Sequence, residues 1–447
     1  MKPIISGSGI RGVFGRSLTV GDVLDYASAF GVLCGKGPVV VGMDTRSSGP
    51  AVKAAVFAGL MSVGCDPLDL GVVTTPTVQL EAAGNGISGG VAITSSHNPA
   101  EWNALKLVGP DGVFLRADAR KKLMEILEAG ADHVDFTGVG KPGTVEGALE
   151  RHVKGILALP LAVSDGRPLK VVLDVVGGTA ASFAPMLMEM LNVEYTVVNP
   201  SMTPDGDFPR GAEPLPDNLR QLSDAVVAEK ADVGFAFDPD GDRLALVDES
   251  GRAVGEDFTV ALALETVLAH RPGPAVVNLS TSMLADDAAA RHGCRVYRSP
   301  VGEVNVVEEM ERRDSYIGGE GNGGVIDRTF HAGRDSGVAI AYTVAFLRSN
   351  PGITLGTWVD GFPRYVMVKR KIGFKGDFDS LRRRLVKTFG IPDDDRDGLW
   401  YERSGGWLHM RSSGTEPVVR FIAENLDADY IENDYGKFLK AMESCVE

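Results

Sequence analysis

Three stretches of the chain repeat one pattern, and that pattern limits the folds open to it. VVVGMDTRSSGPAVKAAVFAGLMSVG begins at Val39, VVLDVVGGTAASFAPMLMEML at Val171 and AVVNLSTSMLADDAAARHG at Ala275. Each opens with a short β-branched apolar run, passes through a polar or glycine-rich turn, and continues into a helical stretch rich in Ala, Met and Leu. Another strand follows each: LDLGVV from Leu68, EYTVVNP from Glu194 and CRVYRSP from Cys294. A strand, a crossover helix and a second strand favour parallel pairing. One large α/β sheet would satisfy the pattern. Three similar α/β domains in tandem satisfy it too, and that reading is preferred because 447 residues divide well that way.

The tail breaks the pattern. RYVMVKRKI from Arg364, WLHMR from Trp407 and VVRFIAE from Val418 read as strands; FDSLRRRLVKTFG from Phe378 and YGKFLKAMESC read as helices. The expected division is 1–148, 149–252, 253–363 and 364–447. The expected fold class is α/β: three similar tandem α/β domains, with mixed sheets flanked by helices, and a small C-terminal α+β domain. With 44% hydrophobic residues the chain has ample material for such cores, and its 55 glycines are spread out as turns would be.

Charge and cysteine usage narrow the partners. Lys and Arg number 45 against 60 Asp and Glu, a net charge of −15, which argues against nucleic acid or an anionic membrane. An anionic small substrate stays possible, because a local cationic pocket can sit inside an acidic protein. Cys34, Cys65, Cys294 and Cys445 lack the spacing of a disulfide framework or a zinc knuckle. MKPIISGSGIRG has no apolar signal core, and no uninterrupted apolar run is long enough to span a bilayer. A cytoplasmic location is expected, as a monomer or homo-oligomer.

Four loops carry chemistry. TSSHNP, from Thr94, puts Ser96 and His97 at the exit of an apolar strand, before an Asn-Pro turn that can hold a hydroxyl out. A plain turn whose Ser and Asn satisfy backbone groups is the competing reading; a serine hydrolase is disfavoured by the absence of a G-x-S-x-G elbow. In GFAFDPDGDRLALVD, Asp238, Asp240 and Asp242 alternate between two apolar runs. Carboxylates this close repel unless a cation joins them, and hard oxygen ligands suit Mg²⁺ or Ca²⁺. An acidic hairpin turn is the alternative. An EF-hand is rejected, since its sixth position is Arg243 rather than glycine and its flanks are strands.

GGEGNGG places Glu320 and Asn322 at alternating positions, where a carboxylate and an amide suit vicinal sugar hydroxyls; a flexible turn explains the loop as well. RSSGTEP offers Arg411, Ser413, Gly414 and Thr415, with Arg420 beyond, as a phosphate cradle or as a polar hairpin.

Taken together, the four loops resemble the α-D-phosphohexomutases, which carry a T-[SA]-S-H-N-P loop, a D-P-D-G-D-R loop, a G-E-x-[SN]-G loop and an R-x-S-G-T-E-P loop in this order. SGIRG at Ser8, VGMDTRSSG at Val41, GVVTTPT at Gly71, PDGDFP at Pro204 and SPVGEVNV at Ser299 extend the resemblance over essentially the whole chain. It implies Ser96 as phosphoryl carrier, resting as phosphoserine, with Mg²⁺ held by Ser96, Asp238, Asp240 and Asp242. It implies Arg11 and Arg243 as added positive charge near the transferring group. His97 and Lys106 would serve as acid–base groups, the lysine only if neighbouring cations lower its pKa. Glu320 and Asn322 would hold sugar hydroxyls, and Arg411, Ser413, Gly414, Thr415 and Arg420 the phosphate not in transfer. The reaction implied converts hexose 1-phosphate to hexose 6-phosphate through a hexose 1,6-bisphosphate, which also acts as activator.

The chain departs from the family pattern in places. ISGSGIRG replaces F-G-T-x-G-I-R-G, Ala104 replaces the glycine after Asn103, and Asn322 and Gly324 stand where G-E-x-S-G-H has serine and histidine. The E-x-N-G-G form points to the archaeal branch and to phosphoglucosamine mutase, with phosphomannomutase or phosphoglucomutase as the alternative. A catalytically silent phosphosugar-binding protein is the rival from another class. It gives no reason to keep Ser96, the three aspartates and both tail arginines together.

Overall fold

The computed structural model describes residues 3–6, 9–162, 165–374, 376–412 and 418–443. Ser8, Ser413, Gly414, Thr415 and Cys445 lie outside the described residues. Cys34, Cys65 and Cys294 are free thiols.

All three repeated units form the same sheet. In the first, strand Pro38–Met43 pairs parallel with Asp66–Val72 on one side and with Gly89–Ile93 on the other, and Trp102–Val108 adds antiparallel to Gly89–Ile93. In the second, Lys170–Asp174 lies between Glu194–Val198 and Val233–Phe237, with Leu244–Asp248 antiparallel at the edge. In the third, Ala275–Asn278 lies between Val296–Ser299 and Ile317–Glu320, with Gly324–Asp327 antiparallel. The tandem α/β reading is therefore correct, parallel pairing included. The sequence reading marked the fourth strand of the second unit, the apolar run after the aspartates, but not those of the first and third, Trp102–Val108 and Gly324–Asp327. The first sheet grows to seven strands by adding Ile4–Ser6, Gly9–Val13 and Gly143–Thr144.

Each chemical loop connects a unit's third strand to its antiparallel fourth. This common geometry brings the serine, aspartate and Glu320 loops to equivalent ends of three sheets. The second and third units share one apolar core, in which Phe183, Phe235, Leu264, Ile340 and Trp358 pack among the helices between the sheets. Their loops are thus fixed relative to each other by burial of apolar surface.

Between the first and third units runs a buried polar chain. Asp335 caps helix Ser336–Ser349, accepting from the Gly337 N–H at 2.7 Å through Oδ1. Its Oδ2 lies 2.8 Å from His152 Nε2 and 3.0 Å from His331 Nε2. His152 Nδ1 in turn meets Thr77 Oγ1 at 2.8 Å.

The tail is a four-stranded antiparallel sheet, in the order Val366–Gly373, Val418–Asn425, Gly406–Ser412, Leu399–Arg403, with helices Phe378–Phe389 and Ala428–Glu443 closing its own core. Leu399–Arg403 is the strand the sequence reading missed. Among the described residues no helix is long and apolar enough to cross a membrane.

Glu424 docks the tail onto the third unit. It accepts from the Ser282 hydroxyl, from Met283 N–H at 2.7 Å and from Trp407 Nε1–H at 2.9 Å. Burial pushes its carboxyl up from 4.5 to about 7, with Asp257 adding to the rise against the Ser282 and Met283 donors. A carboxyl pKa raised by folding gives stability that is fully present below 4.5 and is lost as pH rises through about 7. Stability of the wild type should therefore fall between these values, and Glu424→Gln, which keeps the acceptor oxygen, should flatten the slope. Denaturant unfolding at a series of pH values, with tail fluorescence from Trp407 as the probe, measures it; parallel slopes for the two proteins would refute the assignment.

Candidate active site

Ser96 follows strand Gly89–Ile93 with φ at 48°, a left-handed conformation that costs a non-glycine residue about 1–3 kcal/mol. The loop is held there from both sides. The Ser96 N–H donates to Thr94 Oγ1 at 3.0 Å, and its carbonyl accepts from Arg46 Nη2 at 2.8 Å. Arg46 also donates to the Asn98 carbonyl at 2.6 Å and is ion-paired with buried Asp44, which accepts from Thr94 Oγ1 at 2.7 Å. The Arg46 guanidinium lies 5.0 Å from the centre of the Phe208 ring. The serine is thus a fixed, buried feature rather than a plain turn residue.

Its hydroxyl points at the aspartate loop, with Ser96 Oγ 2.8 Å from Asp238 Oδ2. Asp238, Asp240 and Asp242 are all at most 1% exposed, and a set of their carboxylate oxygens lies within 4.8 Å of one another. Gly241 makes the turn possible: its φ is 69°, and a Cβ there would press on Thr74. Asp240 Oδ2 accepts from Thr75 Oγ1 at 2.6 Å and from Lys106 Nζ at 2.6 Å, and Asp242 Oδ2 accepts from Lys106 Nζ at 3.0 Å and from Arg334 Nη2 at 2.7 Å.

The hairpin flanks are therefore real, but the turn is buried rather than a solvated acidic hairpin. Two carboxylate oxygens, Asp240 Oδ1 and Asp242 Oδ1, have no hydrogen-bond partner although buried. Unpartnered buried carboxylate oxygens next to a serine hydroxyl are a donor set that fits a hard divalent cation.

The charges around this cluster set its protonation. Burial, then Asp240 and Asp242, push the Asp238 carboxyl well above the usual range. Burial opposes ionisation of Asp242 as well, but Arg334, Lys106 and Arg243 outweigh it and hold that carboxyl below its ordinary value. For Lys106, burial works against the charged form and Asp240 and Asp242 overcome it, so its pKa is raised. The lowered pKa that a lysine base requires is not found. His97 behaves oppositely: Arg243, then burial and Arg11, drive it well below its usual value, leaving a neutral imidazole whose Nδ1 is 3.4 Å from Ser96 Oγ.

A cleft of about 600 Å³ opens above these groups, with Ser96, His97, Lys106, Arg11 and Arg243 in its lining. Glu320, Asn322, Arg411 and Arg420 line it as well. The cleft thus brings together the described residues singled out from the sequence except the three aspartates, which are buried against its Ser96 and Lys106. It is locally cationic in an acidic chain: burial, Arg243 and Arg420 depress the Arg11 pKa.

Glu320 is not raised on a flexible loop. It is 3% exposed, ends strand Ile317–Glu320 and pairs across the hairpin with Gly324. Its Oε1 accepts from Asn278 Nδ2 at 2.7 Å and Gly302 N–H at 2.9 Å. Asn322 Oδ1 accepts from the Gly324 N–H at 3.3 Å. Arg411 and Arg420 sit directly opposite each other on adjacent tail strands.

Several residues at the site escaped the sequence reading. Asp44, Arg46, Thr75, Phe208 and Glu303 lie inside the flanking motifs quoted above, but nothing in those motifs gave them a task. Arg334 lies in none of them.

The comparisons with known proteins agree along the chain. The family models described as phosphoglucomutase/phosphomannomutase alpha/beta/alpha domains I, II and III match residues 3–133, 150–251 and 255–365. A Methanopyrus kandleri protein named probable phosphoglucosamine mutase is 34% identical over 446 residues, covering 98% of each chain. A Thermococcus kodakarensis protein named phosphoglucomutase/phosphomannomutase is 35% identical over 431 residues, covering 93% of each. The crystal structure of a phosphoglucomutase/phosphomannomutase family protein from Burkholderia thailandensis superposes with a TM-score of 0.85. That protein is 25% identical, and the match covers 99% of this chain and 97% of the other.

A divalent cation at the triad should stabilise the folded protein by linkage. Millimolar Mg²⁺ or Mn²⁺ should raise the thermal midpoint, and Asp240→Ala should weaken cation binding at least tenfold by titration calorimetry. Equal affinity in wild type and variant would place the cation elsewhere.

Proposed function

Because the chain belongs to the phosphoglucomutase/phosphomannomutase family, the α-D-phosphohexomutases, we propose that this phosphohexomutase interconverts the 1- and 6-phosphates of glucosamine through a phosphoserine at Ser96. The observation that carries the reading is the Ser96 hydroxyl, 2.8 Å from Asp238 and facing a cationic cleft. The amino sugar is favoured by the relatives from Methanopyrus kandleri and Methanothermobacter thermautotrophicus named probable phosphoglucosamine mutase. Mannose or glucose phosphate is the second reading, favoured by the name of the Thermococcus kodakarensis relative.

In the forward half-reaction the Ser96 Oγ–P bond breaks and a bond forms between phosphorus and O6 of the hexose 1-phosphate. The O6 hydroxyl proton leaves to a base on the enzyme, and the Ser96 oxygen released as the Oγ–P bond breaks takes that proton up, so that Ser96 ends as a hydroxyl. His97 is our choice, being neutral and adjacent to Ser96 Oγ, while Lys106 stays an ammonium that offsets Asp240 and Asp242. Arg11 and Arg243 balance the charge of the moving phosphoryl group. The resulting 1,6-bisphosphate turns over in the cleft, and its 1-phosphoryl group returns to Ser96 Oγ with the proton flow reversed.

Glu320 and Asn322 hold hydroxyls in both poses. Arg411 and Arg420, with Ser413, Gly414 and Thr415, hold the phosphate not in transfer. Asp238, Asp240, Asp242 and Ser96 are the proposed ligands of Mg²⁺, and the bound cation would neutralise the phosphoryl oxygens and polarise phosphorus. Such a cation would compete with the Lys106 ammonium for Asp240 and Asp242. We also propose the divisions 1–148, 149–252, 253–363 and 364–447, each supplying one loop to the cleft.

The test is a panel of glucosamine, mannose and glucose 1-phosphates with Mg²⁺ and a trace of the matching 1,6-bisphosphate. The 6-phosphate should form from glucosamine 1-phosphate fastest, and Ser96→Ala should lower kcat by at least about 10³-fold, as loss of a covalent carrier does. An active Ser96→Ala variant would remove Ser96 as carrier; a preference for mannose or glucose would move the second reading to the front.

A further inference from the structure

Arg334 joins three loops at one point. It lies between strand Gly324–Asp327 and helix Ser336–Ser349, is 6% exposed, and has an acidic partner for each nitrogen of its guanidinium. Nε donates to Glu303 Oε2 at 3.0 Å, Nη1 to Glu320 Oε2 at 2.8 Å and Nη2 to Asp242 Oδ2 at 2.7 Å. Glu303 opens helix Glu303–Arg313 and is itself held by Gln79 Nε2 at 2.8 Å. Asp242 belongs to the aspartate loop of the second unit and Glu320 to the cleft wall of the third.

Two further observations show that this arrangement is built. Gly324 has no room for a side chain, because a Cβ there would overlap Arg334 Cδ. The arginine therefore fills the space over residue 324, where the sequence departs from the family pattern. Glu320 Oε1 already takes two donors, so Arg334 on Oε2 fixes the plane of the carboxylate and leaves its remaining acceptor position directed. A planar fork can hold three carboxylates at set angles, whereas a lysine ammonium cannot.

We propose that Arg334 is a positioning residue that couples the cation-binding loop to the sugar-contacting loop, so that filling either site strengthens binding at the other. This rests on the function proposed above, in which Asp242 meets the cation and Glu320 the sugar. A ligand that orders one end of a shared rigid link lowers the ordering cost at the other, and the coupling is reciprocal.

The test uses the dephosphorylated protein, which binds hexose phosphate but has no phosphoryl group to transfer. Titration calorimetry gives Kd for glucosamine 1-phosphate and glucose 1-phosphate with and without Mg²⁺, and Kd for Mg²⁺ with and without each sugar. In the wild type each ligand should tighten the other about tenfold. In Arg334→Lys and Arg334→Met the factor should drop below about twofold. The KM for the hexose phosphate should rise about tenfold at saturating Mg²⁺, with kcat changed less.

Gly324→Ala displaces the side chain while keeping its charge, and should also uncouple; it carries the test if the Arg334 variants do not fold. Coupling retained in a folded variant overturns the proposal alone, as does a wild type that binds both ligands independently. A wild type that binds Mg²⁺ but neither of these sugars nor mannose 1-phosphate overturns the substrate reading and this inference with it.

Discussion

The structure depends on how three buried carboxylates are kept from repelling one another. Asp238, Asp240 and Asp242 come from one short loop of the second unit, and removing each ion from water costs several kcal/mol. Their compensating cations come largely from elsewhere. Lys106 reaches in from the first unit and Arg334 from the third, and only Arg243 is local. The electrostatic balance of the loop is therefore also a docking condition: Asp242 is held ionised at tolerable cost by Lys106 of the first unit and Arg334 of the third.

That condition explains why so much around the cluster is over-determined. Thr75 contributes a hydroxyl to Asp240 and its N–H to the Asp240 carbonyl at 2.9 Å, tying the first unit to the second a second time. Ser336 Oγ donates to the Gly241 carbonyl at 2.7 Å from the third. The strained backbone at Ser96 persists for the same reason: Arg46, Asp44 and Thr94 brace it from behind, and Thr45 Oγ1 anchors that brace to the Gly177 carbonyl at 2.7 Å. The tail is different. It has its own core and is tied to the third unit by polar groups. Besides Glu424, His409 Nε2–H donates to the Asp397 carbonyl at 2.6 Å while Nδ1 accepts from Ser280 Oγ at 2.9 Å, and Arg396 Nη2 donates to the Arg298 carbonyl at 2.7 Å. An interface of that kind separates more readily than an apolar core.

What could be read from sequence follows the range of the interactions. The parallel strand–helix–strand units were legible because apolar periodicity is local, and the alternating aspartates because three acids within five residues are unusual without a cation. The antiparallel fourth strands of the first and third units were hidden. Trp102–Val108 directly follows the serine loop and carries Lys106, so its composition reflects the site as much as its strand. Arg334 was hidden for a plainer reason. Its partners lie 14, 31 and 92 residues away, and no pattern in a window of sequence joins them. The quoted flanking motifs were legible as words without meanings: VGMDTRSSG and PDGDFP meet where Arg46 covers Phe208, and SPVGEVNV supplies Glu303.

The cleft itself shows the opposite imbalance from the aspartate loop. Arg11, Arg243, Arg411 and Arg420 converge on one space, and Arg411 and Arg420 are direct cross-strand neighbours, a placement that is unfavourable for like charges. Arg243, with burial and Arg11, drives the His97 pKa well below its usual value, and burial, then Arg243 and Arg420, depress that of Arg11. A chain with a net charge of −15 has acids enough to neutralise such a cluster, and some do face it, Glu213 at 3.3 Å from Arg243 and Asp397 at 3.4 Å from Arg411, but Glu303 and Glu320 are taken by Arg334. Arg334 thus takes two of the cleft's acids out of reach of its other arginines. By occupying those acids, Arg334 keeps the cleft more cationic than its lining alone would make it, which favours the approach of an anionic group.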